Sequence, residues 1–195
     1  IGEGGDLPMA DHVCPPIVGR LLLSPLRKLV ENPGKIFVSL VSRGEVVLEP
    51  GCAMGFFTLP LARMVGPAGR IIAVDIQPAM LEALERRARK ADLLDRIDIR
   101  EAVQGGLGID DLVECVDFCS VIHVAHEVKE RRRFFRDISK ALKPGARVLL
   151  IEPRWHVSAE DFEKSTLAAE ASGLRRIEHP RVRGDRKMLF KKGMA

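Results

Sequence analysis

The chain has no tyrosine, one tryptophan and only 5% aromatic residues. Without tyrosine, the Tyr-x-x-x-Lys pair of short-chain dehydrogenases is excluded. The cysteines, Cys14, Cys52, Cys115 and Cys119, show neither C-x-x-C spacing nor the density of a disulfide framework, so reduced thiols are expected. His12 with Cys14, and Cys115 with Cys119, lack the paired, repeated spacing of a zinc site, and no metal is expected. Charge or proline interrupts every apolar stretch well before it could span a bilayer, and no secretory signal is recognisable. A cytoplasmic protein is the expectation. Excess charge is also small, a formal +4 over 195 residues, far from that of a dedicated nucleic-acid binder. Arg131-Arg132-Arg133, Arg136 and the basic stretch from Arg175 to Lys192 read as a solvated helix face and a charged edge hairpin. No internal repeat or low-complexity linker is visible, and the length suits one domain around one core.

What the chain does have is concentrated between Val46 and Asp75. Val46, Val47 and Leu48 form a short apolar run suited to a strand buried on both faces of a parallel sheet. It stops at Glu49-Pro50-Gly51. Gly51 and Gly55 lack a Cβ, so the backbone between them can turn tightly and approach a ligand closely. Phe56 to Val65 carries apolar residues at helical spacing, which predicts a helix whose first amides face the strand end. After Gly66-Pro67-Ala68-Gly69, the run Ile71 to Val74 repeats the strand pattern and ends at Asp75. A carboxylate about two dozen residues beyond the first turn is placed to accept from both ribose hydroxyls of an adenosine-type cofactor. The Gly51-Cys52-Ala53-Met54-Gly55-Phe56 segment misses the middle and last glycines of a dinucleotide fingerprint. Glu49, moreover, would repel a pyrophosphate and suits a cationic amino acid moiety.

These residues resemble motif I of the class I S-adenosylmethionine-dependent methyltransferases, acid-x-G-x-G-x-G, with Glu49, Gly51 and Gly55 in place and Ala53 at the middle glycine. Asp75 matches that family's ribose-binding acid. Asp117 to His123 looks like its fourth strand, followed by His126-Glu127-Val128 in the loop where the acceptor lies. Phe134 to Leu142 and Lys143-Pro144-Gly145 through Pro153 look like its next helix, Lys-Pro-Gly turn and fifth strand. The resemblance runs from about Glu45 to the C-terminus and is greatest to the small, stand-alone type related to quinone-biosynthesis methyltransferases. It implies an α/β, Rossmann-like doubly wound sheet of about seven strands with the last antiparallel. It also implies S-adenosylmethionine as cofactor and S-adenosylhomocysteine as product. The cofactor residues it implies are Glu49, Gly51, Cys52, Ala53, Gly55, Phe56, Asp75, Ile76, Val103, Gln104 and His123. Two departures stand out. Ala53 replaces a glycine, and Ala102-Val103-Gln104 stands where many relatives have an aspartate for the adenine amino group.

A sulfonium methyl is already electrophilic, so the protein must align the acceptor, exclude water and, where needed, remove a proton. Candidate bases are His126, His123, Glu127 and His156, with His126 foremost because it follows the fourth strand. Each has a structural alternative: a loop-anchoring histidine for His126, a partly buried one for His123, and a helix N-terminal charge for Glu127. Glu152 and His156 flank the exit of the fifth strand, where Trp155 and His156 form either an acceptor wall or a loop packed back on the domain. Cys14 is a further candidate for substrate contact, with a small buried side chain as the alternative.

Val18 to Val30 and Lys35 to Val41 read as two helices separated by the turn Asn32-Pro33-Gly34. Together residues 1–44 form an extension that either closes over the site as a lid or covers the sheet, with the methyltransferase domain at 45–195. Ile1 to Pro8 is glycine-rich, and Met9 could be an initiator preceded by an expression remnant. At the other end, a helix from Ala159 to Ala171 stops at Ser172-Gly173. Leu174 to His179 and Lys187 to Lys191 follow as an antiparallel pair, matching the reversed final hairpin of the family.

The resulting expectation is methyl transfer to a small-molecule acceptor. A non-catalytic binder of the same cofactor, a nicotinamide-dependent oxidoreductase and an RNA methyltransferase remain as alternatives. Nucleic acid is disfavoured: the Asn/Asp-Pro-Pro-Tyr signature of amino-group base methylation needs a tyrosine, and no cysteine follows a proline as in pyrimidine C5 methylation. Oligomeric state and acceptor atom are left open by the sequence.

Overall fold

In a computed structural model that describes residues 32–103, 106–178 and 185–194, the apolar runs become strands buried on both faces. β1 (Val46–Pro50), β2 (Arg70–Asp75), β3 (Ile97–Glu101), β4 (Val116–Ile122) and β5 (Leu142–Glu152) are parallel. β6 (Leu174–Glu178) and β7 (Arg186–Lys192) complete a seven-stranded sheet of order β3-β2-β1-β4-β5-β7-β6. β7 lies between β5 and β6 and is antiparallel to both. The α/β class, the strand number and the reversed last strand are as the sequence predicts. Cys14, Gln104, the helix expected over Val18 to Val30 and the loop beginning at Arg181 lie outside the described residues.

Strand residues alternate between two cores, as the two-residue period of a strand requires. Leu48, Ile72, Val74, Cys119, Val121, Val148 and Leu150 face a cluster completed by Phe134, Phe135 and Ile138 of α4 (Arg131–Ala141) and Phe162 of α5 (Ala159–Glu170). Val47, Ile71, Ala73, Phe118, Leu149 and Ile151 face the opposite cluster. That second cluster is covered by α1 (Pro33–Phe37), α2 (Thr58–Val65) and α3 (Pro78–Lys90).

Four local readings are corrected. Asn32-Pro33-Gly34 does not separate two helices; it starts α1, with the Asn32 side chain accepting from the Lys35 amide at 3.3 Å and proline at a first-turn position where its missing N–H is harmless. Nor does this helix run on to Val41. Phe37 is fully buried and meets Phe57 and Phe118 edge-on at 5.9 and 6.2 Å, so α1 covers a sheet face. α2 begins at Thr58 and not at Phe56, because Gly55 at φ +81° keeps the chain in the turn. Finally, Lys143-Pro144-Gly145 lies inside β5, where the β4 pairing shifts register between Val116 and Phe118.

Candidate functional site

Strand order reverses between β1 and β4, and the crevice at that switch point, beyond the carboxyl ends of the strands, is where open α/β sheets bind ligands. The Gly51 and Cys52 amides both donate to the Val74 carbonyl, at 2.8 and 3.1 Å, folding the turn across the end of β2. Gly51 has φ +73°, and a Cβ there would meet Val124 Cγ2 at 2.7 Å. One at Gly55 would meet Leu84 Cδ1 of α3 at 2.4 Å. Both glycines are therefore required by backbone conformation and by contact. Ala53 shares the left-handed conformation at φ +46°, which strains a residue bearing a Cβ.

The turn is fastened from two sides. Asp75 is buried, and its Oδ2 accepts from the Ala53 amide at 2.8 Å while Oδ1 accepts from the Gln77 amide at 3.0 Å. Each oxygen keeps lone-pair capacity for a further donor. Burial pushes the Asp75 carboxyl up, and the Gln77 and Ala53 amides oppose that shift. From α3, the Arg87 guanidinium donates to the Met54 carbonyl.

Glu49 is the chemical outlier. It is 4% exposed at the end of β1, and its Oε2 has no hydrogen-bond partner among the described residues. Burial pushes its carboxyl from 4.5 to about 8, with the Thr58 hydroxyl opposing and the Asp75 charge adding. A buried, unsatisfied acid calls for a cation, and the ammonium of an amino acid moiety fits both the charge and the missing donor. Beyond Asp75, Ile76 is 59% exposed and Val103 51% exposed. The Ala102 amide donates to the Asp75 carbonyl at 2.9 Å, so these two apolar side chains flank the joined ends of β2 and β3 and offer an apolar surface for a ring. The residues present thus fit S-adenosylmethionine: an acid for the ammonium, a turn with room for close approach, an acid for the ribose. Cys52 and Phe56 belong to the same segment. Both side chains are buried in the core, Phe56 edge-on to Phe57 at 4.9 Å, and burial pushes the Cys52 thiol up.

The second half of the crevice is built by the segment after β4. His123, at φ +57°, ties its amide to the Ile151 carbonyl at 2.8 Å. The chain then makes a 3-10 turn, Ala125–Glu127. Here His126 meets Glu152, the fully buried last residue of β5: the His126 amide donates to Oε1 at 3.1 Å and the ring Nδ1 lies 2.6 Å from Oε2. Burial disfavours the charged ring, but the Glu152 hydrogen bond and the charges of Glu152, Glu127 and Asp161 hold the His126 pKa above its ordinary value. Glu127 lies in this turn and not at the start of α4, which corrects its helix-terminal reading; its Oε1 is 3.8 Å from His126 Nε2. Burial pushes the Glu127 carboxyl up, and His126 opposes. The His156 ring stands edge-on to His126 at 5.1 Å and 5.3 Å from Trp155, which is 87% exposed.

Several contributors escaped the sequence reading. Arg131 binds the Ala125 and His126 carbonyls and forms a forked pair with Asp161 of α5, at 2.9 and 2.8 Å, clamping the turn. Val124 sits against Gly51, and Arg87 braces Met54. Glu152 was placed only as a flank, although the reasoning that singled out Glu49, an acid closing an apolar strand, applies to it equally. An open cavity of about 420 Å³ lies between α5 and the terminal hairpin, lined by Arg154, Phe162, Glu163, Arg176 and Lys187. It shares no residue with the glycine turn, and Arg176 is already paired with Glu163 and Glu170. Among the described residues, no group of three or more His, Cys, Asp or Glu is arranged to hold a metal, and no helix is long and apolar enough to cross a membrane.

Comparison with known proteins points the same way. A family model described as a methyltransferase domain matches residues 48–150. The ubiquinone/menaquinone biosynthesis C-methyltransferase UbiE of Pectobacterium atrosepticum is 29% identical over 113 residues, 57% of this chain and 44% of that protein. The chain therefore spans less than half the length of the curated relatives it matches. Among solved structures, a SAM-dependent methyltransferase from Aquifex aeolicus superposes with a TM-score of 0.80 at 21% identity, covering 92% of this chain and 99% of that one. The cyclase SpnF superposes with a TM-score of 0.69 at 16% identity, covering 86% and 82%. Both are likenesses of fold.

Proposed function

Because the chain belongs to the methyltransferase-domain family, we propose that it transfers the methyl group of S-adenosylmethionine to a small-molecule acceptor. The observation that carries this reading is the buried Glu49 carboxyl with its unsatisfied Oε2, directly before the glycine turn. In this reading Glu49 receives the cofactor's ammonium, Asp75 the ribose hydroxyls, and Ile76 and Val103 one side of the adenine. The bound cofactor supplies an electrophilic methyl, leaving the protein to position and desolvate the acceptor. In this reading Trp155 and His156, with ring centroids 5.3 Å apart, form the acceptor wall. The curated relatives are C-methyltransferases of ubiquinone/menaquinone biosynthesis. A cytoplasmic setting agrees with the free thiols of Cys52, Cys115 and Cys119.

Thermal unfolding with added ligands tests the proposal, since a ligand that binds only the folded state raises the melting temperature. S-adenosylmethionine and S-adenosylhomocysteine should stabilise the protein, and the Glu49→Gln variant should respond less to both. Stabilisation by a nicotinamide dinucleotide alone would favour hydride transfer instead. A binder without turnover would show the cofactor response but release no S-adenosylhomocysteine with any acceptor.

A further inference from the structure

Glu152 has no place in cofactor binding, yet it is the fully buried end of a central strand and both its oxygens are directed at one residue. We propose that Glu152 is a positioning residue for an acceptor-side base: it holds His126 by Nδ1, leaving Nε2 to face an acceptor whose methylated atom carries a weakly acidic proton, of the phenol or enol class. This inference rests on the methyl-transfer reading.

The geometry selects the tautomer. A carboxylate 2.6 Å from Nδ1 accepts its proton, so a neutral His126 keeps the lone pair on Nε2. A second hydrogen bond, from the His126 amide to the same carboxylate at 3.1 Å, fixes the backbone as well as the ring. Arg131, anchored by Asp161, holds the carbonyls of the same turn, so the imidazole has little freedom to swing away. The groups facing the ring are Glu152 from β5, Glu127 from its own turn, Arg131 from α4, Asp161 from α5 and His156 from the loop between β5 and α5. Glu127 Oε1 stands 3.8 Å from Nε2 with its side chain 38% exposed, so a proton taken up by Nε2 has a carboxylate beside it on the way to solvent. As the acceptor oxygen or carbon bonds to the methyl carbon, the sulfur–methyl bond breaks with its electron pair going to sulfur, and the acceptor proton passes to Nε2. The positive charge that leaves the sulfur thus reappears on an imidazolium that Glu152 stabilises. Tertiary amines and thioethers have no proton to give and gain nothing from this arrangement.

The test uses the intact protein with three readouts. Nitrogen-15 NMR should show neutral His126 as the Nδ1–H tautomer, and its titration should move to lower pH in Glu152→Gln. A panel of phenols and enolisable 1,3-diketones, set against tertiary amines and thioethers, gives turnover. With the best acceptor, His126→Gln should reduce kcat about 100-fold. Glu152→Gln should reduce kcat by about 10-fold or more and move the acidic limb of the profile to lower pH, with the KM for the cofactor unchanged. Glu152→Asp should restore part of the loss. An Nε2–H tautomer, a pH profile unmoved in Glu152→Gln, or turnover confined to acceptors without a proton overturns the inference. Calorimetry on the wild type separates the two readings: no heat with S-adenosylmethionine defeats the methyl-transfer proposal, whereas normal cofactor heat with a wrong tautomer or profile defeats only the role of Glu152.

Discussion

Glu49 makes the ligand-free protein sensitive to pH in a calculable way. In the unfolded chain its carboxyl ionises near 4.5, and in the folded protein it keeps its proton up to about 8. Between those values the folded state binds more protons than the unfolded one, so stability is complete below pH 4.5 and falls as pH rises through the window. At about 1.4 kcal/mol per pH unit, the whole window corresponds to a loss on the order of 5 kcal/mol, a large share of a typical domain's stability. Glu49→Gln fills the same space without ionising. Urea unfolding of both proteins from pH 5 to pH 8 isolates the effect, because Asp75 and Glu127, which are also pushed up, titrate in both and largely cancel in the difference. The wild type should lose several kcal/mol relative to the variant across that range. On the proposed reading, in which Glu49 receives the cofactor's ammonium, binding removes the Glu49 proton, so its Kd should fall by up to about tenfold per pH unit on approaching pH 8. The variant should bind weakly, without this dependence. Parallel unfolding curves for the two proteins would refute the reasoning.

Ala53→Gly should relieve a left-handed alanine worth about 1–2 kcal/mol while adding about 0.4–1 kcal/mol of unfolded-state entropy, for a modest net gain visible as a rise of a few degrees in melting temperature. Gly55→Ala combines a positive φ with a Cβ placed 2.4 Å from Leu84; a loss of roughly 2 kcal/mol or more and weakened cofactor binding by calorimetry are expected. Phe118→Ala opens a cavity beneath Phe37 in a fully buried position, and chemical denaturation should register about 3–5 kcal/mol. Arg131→Met should leave cofactor affinity near the wild-type value but raise the hydrogen-exchange rate of the 3-10 turn at Ala125–Glu127, since the clamp on its carbonyls is gone.

The sheet was readable because strands buried on both faces declare themselves as unbroken apolar runs: Val46 to Leu48, Ile71 to Val74 and Val148 to Ile151 each became a strand. The glycine turn was readable for a related reason, since a tight backbone turn leaves glycines and a strand-end acid in local sequence. Where the reading failed, a distant contact decided the outcome. Asn32-Pro33-Gly34 has the composition of a turn, and Phe37 burying against Phe118 makes it a helix start. The pairing of His126 with Glu152 reaches across a helix, a strand and 26 positions, so no local pattern announces it. Arg131 looked like one of three consecutive surface arginines; its helix position, turned toward Asp161, gives it a different role from Arg132 and Arg133, which are exposed.

The placement of β7 bears on how the molecule is made. Synthesis delivers this strand after the other six described strands of the sheet, yet its position is interior, bridging β5 and β6 with hydrogen bonds on both edges. Until residues 186–192 have left the ribosome, β6 has no neighbour to pair with and β5 presents a bare edge to whatever strand it meets. The first five strands can associate as they emerge, whereas the last third of the sheet must wait and then close in a single event. Folding of this protein is thus predicted to end, not begin, with the antiparallel hairpin.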